Sequence, residues 1–439
     1  MGLGAPRRAA GAAARLGPGA VVCLAGVALG RADVVVVGAA VVAGLVLAVR
    51  GVPGAAAGRG ATLDVGAPTT TDGTDERRLL APVTLAAPRP SSVLVRVTSP
   101  GAVPVGALVA VDGMRRLTAS LPLARTGRVP GFGVSGVAWS EAHDEVVVLP
   151  ARRSPDATVL PVARRLEEVP VPRRLRGLAG PHGSRRPGTG GDLRDVHPFA
   201  PGDRMRRIDW RTTARRSPDL AEVYVRRTHA TSEAHVVLVL DSRDDMAQDL
   251  ATWTGVGEPR PDRPGSLDLA RSAAASLATV FLRRGDRVGL VDLGRSRAQL
   301  RPGAGERHLR RILHALALAR PDEGRVGRTR APALQAGATV ALLSTFLDDD
   351  AAEAALVWLA RGHEVWAFDV LPPVGGVLPD AAAGLAWRIL RLERALRLER
   401  LAAAGVSVVD WSATARPVPG PPPEQRLRMM ARARPGGRR

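Results

Sequence analysis

The densest chemistry in the chain is Asp241-Ser242-Arg243-Asp244-Asp245, three carboxylates within five residues directly after the apolar run Val236–Leu240. Carboxylate oxygens are hard ligands, so a divalent ion such as Mg2+ would suit them. A metal-dependent hydrolase using Asp241, Asp244 and Asp245 is therefore one reading, although no general base or nucleophile stands nearby. The second concentration is Gly190–Arg216, GGDLRDVHPFAPGDRMRRIDWRTTARR. Pro201-Gly202-Asp203 has the chemistry of a tight turn, since proline presets one dihedral and glycine accepts positive φ. Asp203 and Asp209 lie close in sequence to Arg204, Arg206, Arg207 and Arg211, while Ile208 and Trp210 supply apolar anchors. With cations in excess and no catalytic companion, the segment reads as an ion-paired brace and docking surface, Trp210 seating it against the domain that follows.

Other familiar chemistries are missing. The chain has no lysine and hence no phosphate-binding G-x-x-x-x-G-K-[ST] loop, and it has neither G-x-S-x-G nor H-E-x-x-H. Pro187-Gly188-Thr189-Gly190-Gly191 resembles a phosphate cradle, but no preceding strand or following helix frames it. His308 and His314 share a predicted helix at a spacing that does not stack them, and both read as surface residues.

These residues need elements to hold them, and 439 residues with 45% hydrophobic content allow two or three domains. The net charge of +20 is carried by arginine in a chain lacking both lysine and asparagine, as a GC-rich genome would write it. Charge is thus a weak sign of nucleic acid. Aromatic content of 3% argues against a base-stacking surface. Cys23, the single cysteine, excludes an intramolecular disulfide and a cysteine zinc cluster and reads as a packing residue.

Residues 1–50 carry Arg7, Arg8 and Arg15 and two apolar runs, Leu16–Gly30 and Val34–Val49, around Arg31-Ala32-Asp33. With snorkelling arginines at their ends these runs predict a transmembrane hairpin in the lipid bilayer. The positive-inside rule then makes the protein a multi-pass cell-membrane protein with its main domains cytoplasmic. A cleavable signal peptide and a buried hairpin are the alternatives. Residues 51–60 form a Gly/Ala/Pro linker. Residues 61–150 predict a small β-rich domain with strands at Leu80–Leu85, Ser92–Val97, Val105–Val111, Thr118–Leu123 and Glu145–Leu149, broken at Pro88, Pro90 and Asp112-Gly113. His143 and Asp144 read as a solvated turn there. Residues 151–190 read as an irregular connector with an edge strand at Val159–Val162, residues 191–234 hold the brace segment, and Leu220–Val225 reads as a strand.

From His235 the pattern alternates. Strands are expected at Val236–Asp241, Arg287–Leu293, Ala298–Arg301, Thr339–Ser344, Glu364–Val370 and Val406–Asp410. Helices are expected at Ser266–Arg284 with a Ser266 cap, Glu306–Arg320, Ala351–Arg361 and Ala381–Ala404. Such an order over 235–411 specifies an α/β, Rossmann-like, doubly wound sheet. Residues 412–439 read as a mobile basic tail, whose arginines offer a further alternative, anionic-membrane or nucleic-acid binding.

Pro201, Gly202, Asp203, Arg207, Ile208, Asp209, Trp210, Ala214 and Arg215, followed by a strand ending in Leu-Asp-Ser, resemble the domain of unknown function 58 family. The resemblance covers most of the chain. Asp192-Leu193-Arg194 and His197-Pro198-Phe199 depart from the family's acidic-aromatic pair and Arg-x-Tyr. The resemblance implies an N-terminal transmembrane hairpin, a β-rich region and a C-terminal von Willebrand factor A-like domain. It also implies a non-enzymatic interaction or scaffold role, with a MoxR-type AAA+ ATPase and a transglutaminase-like membrane protein as partners. Domains of this type often hold Mg2+ through Asp-x-Ser-x-Ser, a threonine and an aspartate. Here Asp241 and Asp245 keep two positions, Thr329 is the candidate threonine, and Ser344-Thr345 or Asp348 stands where the last acid would be. Arg243 replaces the first serine and would place its cation where Mg2+ sits, leaving no cofactor; Asp241 would otherwise cap nearby amides.

Overall fold

The computed structural model describes residues 7–8, 21–37, 39, 60–72, 76–140, 145–177, 180–255, 257–295, 299–321, 331–376, 380–412 and 421–433. The candidate threonine Thr329, the His143-Asp144 turn, and parts of the apolar runs, the linker and the tail lie outside these residues. The chain divides into two units, the first built mainly from residues 1–124 and 128–157, the second from 125–127, 158–259 and 263–439.

Among the described residues no helix is long and apolar enough to cross a membrane. The expected multi-pass membrane hairpin with cytoplasmic domains is therefore corrected. Residues 21–28 and 32–37 are helical, and the first of these spans only about 12 Å against a hydrocarbon core of about 30 Å. Gly30 turns the chain at φ +65°, and Arg31 pairs with Asp33 at 2.6 Å, so the charged tripeptide ends the helix. The Cys23 thiol donates to the Val35 carbonyl at 3.6 Å across this turn.

The first unit is an antiparallel sheet of β1 (Thr62–Val65), β2 (Thr69–Asp72), β3 (Arg77–Thr98), β4 (Val105–Pro122), β5 (Gly133–Ser140) and β6 (Glu145–Arg153). β3 lies between β1, β2, β4 and β5 in register, and β6 pairs β5. Two expected pairs of short strands are thus two long ones. Pro88 and Pro90 cannot donate to the ladder, and the register slips between Ala87 and Ser91 rather than ending. Leu79, Ala81, Val83, Leu85, Ala87, Val93 and Val95 stay buried on one face through that irregularity. The strand expected at Val159–Val162 is Ala157–Val159.

The second unit opens with β7 (Leu175–Arg176) and β8 (His182–Pro198), both antiparallel to the first half of β9 (Tyr224–Leu240). Of the irregular connector expected up to Gly190, residues 160–174 carry no strand, whereas its end from His182 on is strand. Its glycines allow close approach: a Cβ on Gly188 would stand 2.3 Å from the Ala230 Cβ, and one on Gly190 would stand 2.5 Å from the His229 carbonyl. The glycine-rich run thus seats β8 on β9 instead of cradling phosphate.

The second half of β9 lies between parallel neighbours in the order β11 (Gln299–Gly303), β10 (Arg287–Asp292), β9, β12 (Thr339–Ser344), β13 (Glu364–Asp369), β14 (Ser407–Asp410), with β11 antiparallel at the edge. The helices are α1 (Trp210–Arg216), α2 (Ser266–Arg283), α3 (Glu306–Leu318), α4 (Asp349–Ala360), α5 (Ala381–Ala403) and α6 (Pro423–Arg432). Val236, Leu238 and Leu240 pack with α2, α3, Trp366 and Phe368, while Val237 and Val239 pack with α4. Helices therefore cover both faces, which is why β9, β12 and β13 read as near-continuous apolar runs.

α6 corrects the expected mobile tail. Pro422 and Pro423 start it, Leu427 is fully buried in the core with α2 and α3, and Arg432 lies 3.6 Å from Glu168. Ser266 is the first residue of α2 rather than its cap: Asp268 accepts from the Gly265 N–H at 2.8 Å, and the Ser266 hydroxyl accepts from the Met246 N–H at 2.8 Å. His308, read as a surface residue, is buried with its Nε2 2.7 Å from the Val288 carbonyl oxygen, whereas His314 is exposed.

Candidate functional site

The chain leaves β9 for β10 on one side and returns to β12 on the other. Loops at the carboxyl ends of β9 and β12 therefore flank the point where an open α/β sheet reverses direction and binds its ligands. Asp241 follows the last residue of β9, and Ser344 ends β12; the Ser344 hydroxyl donates to Asp241 Oδ2 at 2.7 Å. Carboxylates end three further parallel strands, at Asp292, Asp369 and Asp410. Asp292 accepts from the Ser242 hydroxyl at 2.6 Å and the Gly294 N–H at 2.9 Å; burial pushes its carboxyl up and these donors only partly offset it. Asp369 is likewise pushed up by burial, against the opposing charge of its partner Arg394.

Arg243 occupies the centre of the strand-end cluster. Its Nε and Nη2 lie 2.8 and 3.0 Å from the two oxygens of Asp241, Nη2 and Nη1 lie 3.0 and 2.9 Å from those of Asp348, and Nη1 lies 2.8 Å from Asp350. The Arg243 side chain is 12% exposed. Burial alone would lower its pKa, but hydrogen bonds and charge from Asp241, then Asp348, hold it above the ordinary value. Burial and then the charge of Asp241 push the neighbouring Asp244 carboxyl up.

Asp245 turns elsewhere. It pairs with Arg125 and accepts from the Leu267 N–H at 3.3 Å. Asp268 completes that second cluster by accepting from the Thr126 N–H and hydroxyl, each at 2.7 Å, and it lies 3.2 Å from Arg271 Nη1. Burial dominates the upward push on Asp245, opposed by Arg125. Sequence reading missed Arg125, Asp268 and Arg271. The i, i+3 spacing of Asp268 and Arg271 was the one available signal, because Arg125 comes from far away in the chain.

Asp241 and Asp245 therefore do not converge on one ion. Among the described residues no three His, Cys, Asp or Glu side chains are grouped to hold a metal. The residues present do not fit Mg2+, because a guanidinium already fills the space between Asp241, Asp348 and Asp350.

The brace segment lies at the other end of β9. Pro201 and Gly202 make the turn, with Gly202 at φ +98°. Asp203 accepts from the Ala200 N–H at 3.0 Å and pairs with Arg227 at 3.2 Å, and His197 stands 3.5 Å away. Asp209 caps α1 through the Thr212 N–H at 3.0 Å and lies 3.8 Å from Arg226. Arg207 donates to the Gly188 carbonyl at 2.9 Å, while Arg194 lies 3.6 Å from Asp195 and Arg215 is exposed. Both acids thus take partners from β9 rather than from the adjacent arginines. A backbone bond from Asp209 N–H to the Tyr224 carbonyl at 2.8 Å, and one from Tyr224 N–H to the Thr213 side-chain hydroxyl at 2.9 Å, lock the helix to the strand. Trp210 does not anchor the segment: the residue is 62% exposed. Phe199, Met205 and Leu220 are exposed as well, and Leu220 holds φ at +58°, rare for a residue with a Cβ.

Residues 195–386 match the family model described as protein of unknown function DUF58. Uncharacterized proteins of Mycobacterium bovis and Mycobacterium tuberculosis are 30% identical over 279 residues, covering 60% of this chain and 83% of theirs. The chain belongs to the DUF58 family. A solved structural-genomics target, SoR45, is aligned over 24% of the DUF58 chain and 92% of its own, at 10% identity and a TM-score of 0.16. The DUF58 match begins at Asp195, inside β8, so the family segment takes in the brace from Asp195 on, all of β9 and the Arg243 cluster.

Proposed function

We propose that this DUF58 chain is a non-enzymatic interaction protein whose α/β unit, von Willebrand factor A-like in its strand order, docks a protein partner, and that the partner is a MoxR-type AAA+ ATPase. The observation that carries this reading is Trp210, exposed on a helix that is bonded to the sheet from behind. Tryptophan and arginine dominate binding hot spots, and a large apolar ring held rigidly in water is otherwise a cost. Arg204, Arg206, Arg211 and Arg215 are exposed in the same segment, so the surface complements an apolar patch rimmed by acids. The identity of the partner as an ATPase rests on the family resemblance.

Co-purification with full-length protein under nucleotide-trapping conditions tests the reading. Wild type is expected to recover an AAA+ ATPase, and Trp210→Ala to weaken that recovery at least about tenfold while melting at the wild-type temperature. Wild type that recovers no AAA+ protein overturns the partner. Undiminished recovery with Trp210→Ala overturns the surface.

A further inference from the structure

We infer that Arg243 is the resident cation of the strand-end site, and that the site is built to stand without a divalent metal. A guanidinium has five N–H donors in a planar fork, and five nitrogen–oxygen pairs of 3.0 Å or less surround this one, spread over Asp241, Asp348 and Asp350. Mg2+ requires oxygens at about 2.0–2.1 Å in near-octahedral array. Both oxygens of Asp241 face the guanidinium instead, and one of them also accepts from Ser344. Of the loop's two other acids, Asp245 is committed to Arg125, and Asp244 is left as the only one beside Asp241.

The arginine does the structural work a metal would do there. It ties the loop after β9 to the start of α4 across the point where the sheet reverses. It differs in what it leaves over. A metal ion can keep a coordination position open for an incoming oxygen, whereas this guanidinium has four N–H donors hydrogen-bonded to carboxylates and no coordination position to offer. A partner meeting this face therefore meets the outward carboxylates, with Asp348 and Asp350 side chains 49% and 38% exposed, and no cation it can ligate.

The test is a titration of the full-length protein with Mg2+ and Mn2+ by calorimetry, with thermal melting in chelator and in about 10 mM Mg2+, above the range in which weak oxygen sites fill. Wild type is expected to give no binding heat and the same melting temperature in both. Arg243→Ser restores the adhesion-type hydroxyl at that position. It is expected to lower the melting temperature in chelator, to regain it with Mg2+, and to bind Mn2+ at millimolar concentration or below. Adding Asp241→Asn to Arg243→Ser should abolish that gain. Wild-type binding of either ion that Asp241→Asn removes overturns the inference, and this arm needs no arginine variant to fold. An Arg243→Ser protein that neither binds Mn2+ nor recovers with Mg2+ overturns it equally.

Discussion

Asp209 shows how one carboxylate serves two elements, capping α1 through Thr212 while its backbone N–H reaches Tyr224 on β9. The Thr212 N–H bond, aided by Arg226, holds its carboxyl below the ordinary value of 3.8. A lowered folded-state pKa means stability that is complete above the unfolded value and lost as pH falls through the folded one. Asp209→Ala should accordingly lower the melting temperature at neutral pH, and its gap from wild type should close as the pH drops below about 3.8. A gap of equal size at pH 7 and pH 3 would mean that the charge is not what stabilises the cap. The excess of arginine around Asp203 and Asp209 was legible in the sequence, but the partners were not. Arg204, Arg206 and Arg211 lie on a short helical path that turns them to solvent, so the acids meet Arg226 and Arg227 across the sheet. The same turn exposes Trp210, which hydropathy alone would have buried.

At the scale of elements, α6 is held chiefly by Leu427, with Met430 packed beside it. Leu427→Ala removes a fully buried side chain from the core it shares with Leu309 and Phe281, and should cost about 2–5 kcal/mol in urea unfolding followed by tryptophan fluorescence. A loss below 1 kcal/mol would show that the helix is not integral to the unit. Strands and helices buried on one or two faces were legible from their periodicity: the Val236–Leu240 end of β9, β10, β12, β13 and α2 to α5 lie where the apolar pattern puts them, whereas β9 starts already at Tyr224 and the separate strand expected at Leu220–Val225 is only its beginning. The failures share a cause, local signals overridden by distant partners. Proline inside β3 reads as a break until β4 is seen running alongside it. Glycine in β8 reads as a loop until Ala230 is seen beneath it. The arginine-rich C-terminal stretch hides α6 because the apolar face of Pro423, Leu427 and Met430 is only three residues long amid arginines.

For the whole molecule, the two units have separate sets of core residues, Leu79 to Val95 on β3 in one and the α/β layers in the other. Of seven tryptophans, Trp139 alone belongs to the first unit; Trp210, Trp253, Trp358, Trp366, Trp387 and Trp411 belong to the second. Calorimetry should therefore show two transitions, with intrinsic fluorescence following chiefly one of them. Leu79→Ala, a fully buried change in the first unit, should move the transition that fluorescence does not follow by several degrees, as a core truncation of about 2–5 kcal/mol does. Movement of both transitions together would show one cooperative block.

β9 runs unbroken for 17 residues, from the brace at Tyr224 to Leu240, next to Asp241. At roughly 3.3 Å per residue it separates Trp210's supports from the Arg243 cluster by up to about 55 Å. That length is a ruler. Trp210's supports and the carboxylates of the Arg243 cluster therefore stand at opposite ends of one strand, and a partner that engages both has to span its length.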